Sequence, residues 1–237
     1  MADETTRAFV AGATGYTGRA VVAELRARSI ETVAHVRPDS TRLGEHRERF
    51  AALGASVDTT PWEAEQIGET LRRVKPTIVF ALLGTTRSRA RAEGMAAQQA
   101  YARVDYGLTK WLIDAAATCS PKPRFVYLSA AGVTAQSKNA YIAARARAEA
   151  TLRDSGVPWT IARPSFITGS DREDERPLER FAAAVGDGVL AVAGVLGASK
   201  LRARWRSTDA TTLAQGLVRV GLDPEFVDRV ARSEDLR

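Results

Sequence analysis

The chain has 237 residues, of which 45% are hydrophobic and 26% charged, so it can bury a sizeable core and has the composition of a globular protein. No apolar run approaches the ~20 residues that a membrane-spanning helix needs, and the polar start, Met1 to Glu4, is unlike a secretory signal. Because Cys119 is alone, an internal disulfide is excluded, and we expect a cytoplasmic protein that does not contact a membrane.

The net charge of +6 raises the question of a nucleic-acid partner. The arginines are spread along the chain and many lie next to acids, so we interpret most of them as solvated helix faces and do not expect nucleic-acid binding. The two histidines, His35 and His46, have no cysteine or acidic partners at ligand spacing, and no metal site is predicted.

Strand-like and helical segments alternate through the first two thirds of the chain. Strands are predicted over residues 8–11, 31–36, 55–58, 76–83, 124–128 and 159–163, and helices over 17–28, 45–53, 62–74, 94–118 and 138–153. The run 76–83 is nearly all apolar, as expected for a parallel strand covered on both faces. This alternation predicts an α/β fold of the Rossmann type, with a doubly wound parallel sheet built from right-handed crossovers.

The alternation ends after Pro164. Residues 165–206 combine a charged loop with a segment rich in Gly, Ala and Val, and a helix is predicted over 209–220. We interpret residues 165–206 as a small C-terminal lobe on the side where a Rossmann-type sheet binds its ligands, within a single domain spanning 1–237, because no internal repeat or linker divides the chain. The small apolar residues of the lobe predict a modest apolar pocket.

A glycine-rich turn directly follows the first predicted strand, and a helix follows the turn, which is the order of a dinucleotide-binding turn. Gly12 leaves the strand at backbone angles closed to other residues, Gly15 lets backbone N–H groups approach a pyrophosphate, and Gly18 lets the helix pack close to the strand. The phosphates would then lie at the helix N-terminus. The alternative is a glycine-rich turn without a ligand, which the position after the first strand disfavours.

The residue type after the second strand indicates which dinucleotide is bound. An acid at that position accepts hydrogen bonds from ribose hydroxyls and repels a 2′-phosphate. Here the strand ends in Arg37, with Ser40 and Arg42 close behind, and the nearest acid is Asp39. A guanidinium can hold a phosphate with two charge-assisted hydrogen bonds, so NADP(H) is predicted rather than NAD(H), the alternative being that Arg37 is a solvated loop residue.

A candidate proton-transfer site follows the fifth strand. Ser129 stands at the end of that strand, and Tyr141 and Arg145, four residues apart, share one face of the next helix. A neighbouring cation lowers the pKa of a phenol from its usual ~10, and a serine can orient a carbonyl while the cofactor supplies hydride. Catalytic roles are therefore predicted for Ser129, Tyr141 and Arg145, against the alternative that Tyr141 is a packing residue and Ser129 a strand cap.

Five short motifs match one family in order and spacing. They are Gly12-Ala13-Thr14-Gly15-Tyr16-Thr17-Gly18-Arg19, Leu83-Gly84-Thr85-Thr86-Arg87 followed by Ala92-Glu93-Gly94, Val104-Asp105-Tyr106, Leu128-Ser129 and Ala162-Arg163-Pro164. From residue 9 to about 180 the chain resembles the atypical short-chain dehydrogenase/reductases, in particular the NmrA-like and Tat-interacting-protein-like NAD(P)-binding proteins.

The resemblance implies which residues surround the cofactor. Asp58 would lie near the adenine, Leu83-Gly84-Thr85 along the cofactor, and Pro164 and Ser165 beside the nicotinamide. With Arg145 placed on the ribose hydroxyls, the full set of predicted cofactor-binding residues is Gly12, Thr14, Gly15, Tyr16, Thr17, Gly18, Arg37, Asp58, Leu83, Gly84, Thr85, Arg145, Pro164 and Ser165.

The chain departs from the active Asn-Ser-Tyr-Lys tetrad of that family. Arg145 stands where the family has lysine; it keeps the charge but is longer, planar and unable to give up a proton, so a proton relay through it is not expected. Asp105 stands at the usual Asn position, where it can pair with a basic residue. Ala130 replaces a second serine that often lies beside the catalytic one.

Two functions of different classes are consistent with these residues. The first is an NADP(H)-dependent oxidoreductase for a small carbonyl or alcohol substrate, with Ser129 and Tyr141 as the catalytic pair. The second is a non-catalytic NADP(H)-binding redox sensor or regulatory protein of the NmrA-like type, which the change of lysine to arginine favours. Fold alone does not choose between them. A homodimer or a protein partner is left open by the apolar face of helix 94–118, which we interpret first as core.

Overall fold

The computed structural model describes residues 6–85, 87–92, 94–165 and 209–237. Its strands are β1 Arg7–Ala11, β2 Glu31–His35, β3 Ser56–Asp58, β4 Ile78–Ala81, β5 Arg124–Leu128, β6 Trp159–Arg163 and β7 Arg229–Arg232. Its α-helices are α1 Tyr16–Ala27, α2 Leu43–Ala52, α3 Ala64–Val74, α4 Arg87–Ala92, α5 Ala97–Ala100, α6 Thr109–Ala117, α7 Ala140–Asp154 and α8 Ala210–Leu222. A π-helical segment, Tyr101–Leu108, joins α5 to α6, and a short 3₁₀ helix, Pro224–Phe226, follows α8.

All seven strands are parallel and form one sheet in the order β3-β2-β1-β4-β5-β6-β7. The predicted α/β fold of the Rossmann type is therefore confirmed. The chain moves outward in one direction from β1 to β3 and then returns to place β4 on the other side of β1. Ligands of such sheets bind outside the carboxyl ends of the strands at this point of reversal, between β1 and β4.

The two faces of the sheet are covered by different helices, because successive strand residues point to opposite faces. From β1, Ala8 and Val10 pack with apolar residues of α1 and α8. Phe9 and Ala11 pack on the other face with apolar residues of α3, α6 and α7. Helix α7 therefore descends along the second face, so its first turn lies at the carboxyl edge of the sheet and its later turns lie against β5 and β6.

The structure differs from the sequence prediction in several places, of which three concern the sheet and the long helix beside it. Strand β7 was not predicted, and it extends the sheet by pairing with β6. The predicted long helix begins at Ala97 and is π-helical over Tyr101–Leu108, a wider backbone turn that is frequent at functional sites. The apolar run at 76–83 pairs as a strand only over Ile78–Ala81.

The predicted substrate-side lobe, residues 165–206, lies outside the described residues except for Ser165. Helix α8, predicted at 209–220, is present, and the Asp209 carboxylate caps it by accepting from the Thr212 amide at 2.9 Å. Within the described residues, none of the helices has the length and apolar character needed to cross a bilayer.

Candidate functional site

The glycine turn between β1 and α1 has three glycines with different roles. Gly12 has φ +83°, and a Cβ on it would lie 2.6 Å from the Leu82 carbonyl oxygen. A Cβ on Gly18 would collide with the Gly12 backbone. A Cβ on Gly15 would have a single neighbour, the Gly12 oxygen at 3.3 Å. Gly12 and Gly18 are thus required for packing, whereas the space beside Gly15 is where a ligand can approach the backbone.

The N-terminus of α1 has the character of an anion site. Gly15 occupies the N-cap position, and among the described residues no side chain caps this helix and its first turn contains no acid. The Arg19 guanidinium lies over the same turn and donates to the Thr14 carbonyl at 3.1 Å. Uncapped N–H groups together with the helix dipole favour a phosphate. The residues present therefore fit the diphosphate of a dinucleotide cofactor.

The ends of β2 and β3 form the adjoining part of the same edge. Arg37 follows β2 and is largely exposed, with its Nε 3.7 Å from an Asp39 carboxylate oxygen. Asp58, at the end of β3, is buried and accepts from the Thr60 amide at 3.0 Å and from Arg73 Nη2 at 2.8 Å. Burial raises the pKa of Asp58, but the Thr60 and Arg73 hydrogen bonds outweigh burial and lower that pKa below its ordinary value. Asp58 is therefore a carboxylate at neutral pH.

Ser129 is buried, and its hydroxyl donates to Glu149 Oε1 at 2.6 Å. The same carboxylate accepts from Arg163 Nε at 2.8 Å and from Arg153 Nη2 at 3.0 Å. Burial raises the pKa of Glu149, but hydrogen bonds from Arg163 and Ser129 reverse the shift and leave the pKa lowered. Glu149 is therefore ionised and can only accept, which makes the Ser129 hydroxyl the donor.

Arg145 is enclosed by protein groups on both sides of its guanidinium. Nη1 donates to the Leu128 carbonyl at 2.5 Å, and Nη2 donates to the Leu83 carbonyl at 3.1 Å and to Asp105 Oδ1 at 2.8 Å. The expected pairing of Asp105 with a basic residue is thus confirmed. Burial raises the pKa of Asp105, and the Arg145 charge and the Thr85 amide, which donates at 3.1 Å, oppose that rise.

Tyr141 lies in the first turn of α7, where the Asn139 side chain accepts from the Tyr141 amide at 3.0 Å and caps the helix. The Tyr141 ring is half-buried; its centroid is 5.2 Å from the Arg145 guanidinium carbon and 5.5 Å from that of the Tyr101 ring, which meets it edge-on. The structure therefore brings Tyr141 and Arg145 together, whereas the contact shown for the Ser129 hydroxyl is with Glu149.

Sequence reasoning did not find three groups around these residues. Glu149 follows Tyr141 and Arg145 at the same four-residue spacing on α7, which is the signal that could have revealed it. No pattern in the sequence points to Tyr127. Its hydroxyl accepts a hydrogen bond from Arg145 Nη1 at 3.3 Å, and burial raises the pKa of Tyr127 to about 12. Ser233 follows β7, and its hydroxyl accepts from the Ser165 amide at 2.8 Å.

The segment Pro164–Ser165 is held from two sides. The Pro164 carbonyl accepts from the Ala131 amide at 2.9 Å, and the Ser165 amide donates to Ser233 as described. The predicted nicotinamide-side residues therefore lie between the loop after β5 and the end of β7. The roles assigned to the catalytic and cofactor residues remain predictions.

Comparison with known proteins identifies the family. A family model described as NAD(P)H-binding matches residues 12–193. The protein FMP52, mitochondrial, of Coccidioides immitis is 30% identical over 226 residues, which cover 90% of this chain and 84% of that protein. The protein fmp52-1, mitochondrial, of Aspergillus terreus is 28% identical over 230 residues, which cover 94% of this chain and 90% of that protein. The expected cytoplasmic location is wrong by this comparison, since both relatives are named as mitochondrial proteins.

Solved structures share the fold at low sequence identity. The triphenylmethane reductase of Citrobacter, complexed with NADP(H), superposes with a TM-score of 0.60 at 16% identity, covering 95% of this chain and 68% of that chain. The UDP-glucose 4-epimerase of Thermotoga maritima gives a TM-score of 0.65 at 13% identity, covering 95% of this chain and 75% of that chain. The sheet order, the uncapped glycine turn and the match over residues 12–193 agree, and this chain belongs to the NAD(P)H-binding family of Rossmann-fold proteins, consistent with the atypical short-chain dehydrogenase/reductase group.

Proposed function

We propose that this protein is an NADP(H)-dependent oxidoreductase that acts on a small carbonyl or alcohol substrate. The observation that carries the proposal is the uncapped N-terminus of α1 beside Gly15, at the point where the strand order reverses. The preference for NADP(H) is supported by Arg37, an exposed guanidinium two residues after the end of β2, in the region where NAD-binding proteins of this fold carry an acid. Family membership supports a nicotinamide cofactor without choosing between the phosphorylated and unphosphorylated forms.

In this proposal Tyr141 moves the proton. When bound, the nicotinamide supplies hydride to the substrate carbon or accepts it. The Tyr141 hydroxyl gives its proton to the substrate oxygen during reduction and takes it back during oxidation. The Arg145 guanidinium carbon lies 5.2 Å from the Tyr141 ring centroid, so a cation stands beside the proposed proton donor.

In this proposal Ser129 can accept a hydrogen bond from the substrate but cannot donate one to it. Because its hydrogen is donated to Glu149, the Ser129 oxygen presents lone pairs to any further partner. Such an oxygen accepts from a substrate hydroxyl and orients an alcohol, whereas the hydrogen bond that polarises a carbonyl then comes from Tyr141. We therefore place Ser129 as an orienting group and Tyr141 as the acid and base.

A second candidate function is an NADP(H)-binding regulatory protein that changes its affinity for a protein partner without turnover. The observation that favours it is that side chains at three of the four tetrad positions are engaged with other protein groups: Arg145 and Asp105 pair with each other, and the Ser129 hydroxyl donates to Glu149. A protein that had lost catalysis while keeping the cofactor site would retain the glycine turn and tolerate these pairings.

One experiment separates the two candidates. NADPH and NADH binding is measured by titration calorimetry, and a panel of small carbonyls and alcohols is then tested with NADPH consumption or formation as the readout. Turnover of any panel member supports the oxidoreductase. Tight NADPH binding without turnover, with a change in affinity for a partner, supports the regulatory protein. If the protein binds neither NADPH nor NADH, both candidate functions are contradicted.

A further inference from the structure

We propose that Arg145 is a positioning residue, whose guanidinium fixes the loop Leu83–Thr85 beside the cofactor cleft and does not itself bind the cofactor. The proposal rests on the proposed function in one respect, namely that the cofactor lies along this loop. It assigns Arg145 a role different from the ribose contact that the sequence resemblance implies for this position.

The loop Leu83–Thr85 lies where the cofactor cleft of such a sheet is expected. It follows β4 directly, and its preceding residue, Leu82, donates its amide to the Ala11 carbonyl at 2.9 Å. A Cβ on Gly12 would lie 2.6 Å from the Leu82 oxygen, so the glycine turn and the chain leaving β4 are in backbone contact. A displacement of this loop therefore alters the wall of the cleft beside the phosphate turn.

Arg145 and Asp105 hold this loop from both ends. The Leu83 carbonyl accepts from Arg145 Nη2 at 3.1 Å, and the Thr85 amide donates to Asp105 Oδ2 at 3.1 Å. The Nη2 atom also pairs with Asp105 Oδ1 at 2.8 Å, which links the two contacts. Between them, a Cβ on Gly84 would lie 2.6 Å from Nη2, so the guanidinium lies directly against the loop backbone.

The same guanidinium reaches the neighbouring strand. Its Nη1 donates to the Leu128 carbonyl at 2.5 Å, at the carboxyl end of β5. One side chain therefore joins the ends of β4 and β5 to the π-helical segment that carries Asp105. A rigid, planar fork of donors can serve carbonyls on opposite sides, whereas a lysine ammonium is a single point charge. This explains why arginine at this position suits a loop clamp.

The burial of the pair argues against a direct contact with the cofactor. The Arg145 side chain is 7% exposed and the Asp105 side chain is 0% exposed. To reach a ribose hydroxyl, Arg145 would have to leave an ion pair enclosed by protein and expose Asp105 without its partner, which is strongly unfavourable for a buried pair. Arg145 thus acts on the cofactor through the loop that it holds.

The first test measures the loop in the protein without cofactor, by hydrogen exchange of the Thr85 amide. Arg145→Met removes all donors and Arg145→Lys keeps a charge, which provides a milder variant if Arg145→Met folds poorly. Arg147→Met is the matched control, because Arg147 lies on the same helix and packs over the Tyr106 ring at 4.1 Å on the same π-helical segment. We expect Thr85 exchange to rise by about 10-fold in both Arg145 variants and to stay native-like in the control.

The second test compares NADPH with 2′-phosphoadenosine 5′-diphosphate, which carries the adenosine and both 5′-phosphates but lacks the distal ribose. If Arg145 acts through the loop, the Arg145 variants weaken binding of both ligands by a similar factor, about 3- to 30-fold. Weakening of NADPH alone, with the diphosphate unaffected, would show a direct ribose contact and overturn the proposal. Native-like Thr85 exchange in both Arg145 variants would also overturn it.

The two tests keep the failure of this inference apart from the failure of the proposed function. Native protein that binds neither NADPH, NADH nor the diphosphate contradicts the proposed function. The exchange measurement does not need a ligand, so it still decides whether Arg145 fixes Leu83–Thr85.

Discussion

Ser129 donates its hydroxyl hydrogen to the buried carboxylate of Glu149, with 2.6 Å between the two oxygens. The donor is fixed by charge, because the Glu149 carboxylate is kept ionised by Arg163 and by Ser129 itself and has no hydrogen to give. A serine whose hydroxyl hydrogen is already donated can only accept a hydrogen bond from another group, through the lone pairs of its oxygen. In the proposed reaction, proton donation is therefore assigned to the Tyr141 hydroxyl.

Replacement of Tyr141 by Phe is the direct test of that role. The variant removes the proposed proton donor and keeps the ring that packs against Arg145 and Tyr101. We expect NADPH affinity to change little while turnover falls by about 10²- to 10⁴-fold, the usual contribution of general acid–base catalysis. The measurement is kcat for the best substrate of the carbonyl and alcohol panel.

Tyr101→Phe is the matched control, since it makes the same chemical change in the ring that contacts Tyr141 edge-on. It should retain most of the turnover. If Tyr141→Phe kept native kcat, the proton would have to come from another group and the assignment of Tyr141 would be wrong.

The strands that sequence reasoning placed best are those with proline at their borders. The predicted bounds of β5 and β6 agree with the structure, because Pro123 precedes β5 and Pro158 and Pro164 flank β6, and proline cannot continue the sheet ladder. Strand β7 has only four residues, two of them arginine, and it is stabilised by pairing with β6 from about 70 positions earlier in the chain. The residues of β7 themselves give no indication of pairing with a strand so far away in the sequence.

The part of the candidate site that lies on one helix could be predicted, because residues four apart share a helix face. Tyr141 and Arg145 follow from the four-residue repeat on α7, and Asp105 from the position where the family has asparagine. What the sequence did not show is burial, which distinguishes the enclosed Arg145 from the exposed Arg147 on the same helix. Burial depends on which elements pack over α7, so the clamp on Leu83–Thr85 and the Ser129–Glu149 contact required the folded structure.

Cofactor preference should depend on Arg37. Arg37→Ala removes the guanidinium proposed to hold the 2′-phosphate, and we expect it to reduce the preference for NADPH over NADH by about 1–3 kcal/mol. Asp39→Asn is the control in the opposite direction, because it removes the carboxylate that lies 3.7 Å from Arg37 and repels a phosphate. It should strengthen NADPH binding. Equal affinity of the native protein for NADPH and NADH contradicts this prediction.

Substitutions at Gly15 and Gly18 should separate ligand binding from folding. Gly15→Val fills the space where we place the phosphates but meets a single backbone neighbour, so we expect a large loss of NADPH affinity with a near-native Tm. Gly18→Val collides with the Gly12 backbone and should lower the Tm strongly. Calorimetry and thermal melts on the two variants check both expectations. Native NADPH affinity in Gly15→Val would mean that the phosphates bind elsewhere.

The Glu149 carboxylate should make the stability of the fold depend on pH. Its folded-state pKa lies below the ordinary value of 4.5, because the hydrogen bonds from Arg163 and Ser129 outweigh the effect of burial. The stabilisation is therefore fully present above about pH 4.5 and is lost as the pH falls through the folded-state pKa. We expect Glu149→Gln to lower the free energy of unfolding by about 2–4 kcal/mol at pH 7, since it leaves the half-buried Arg163 and the exposed Arg153 without their carboxylate.

The pH dependence distinguishes this ion pair from a simple loss of packing. Urea unfolding of the native protein and of Glu149→Gln at several pH values between 3 and 7 should show the two free energies drawing together as the pH falls below 4.5, because the unfolded state then takes up a proton that the ionised Glu149 of the folded state does not. Glu45→Gln is the control: Glu45 pairs with Arg49 at 3.3 Å on the exposed side of α2, and its loss should cost under about 0.5 kcal/mol at any pH. A constant difference between native protein and Glu149→Gln from pH 3 to 7 would show that folding does not lower the pKa of Glu149. A native protein that instead lost stability relative to Glu149→Gln as the pH rose above 4.5 would show that Glu149 is protonated in the folded state, and the Ser129 hydroxyl would then no longer be fixed as the donor.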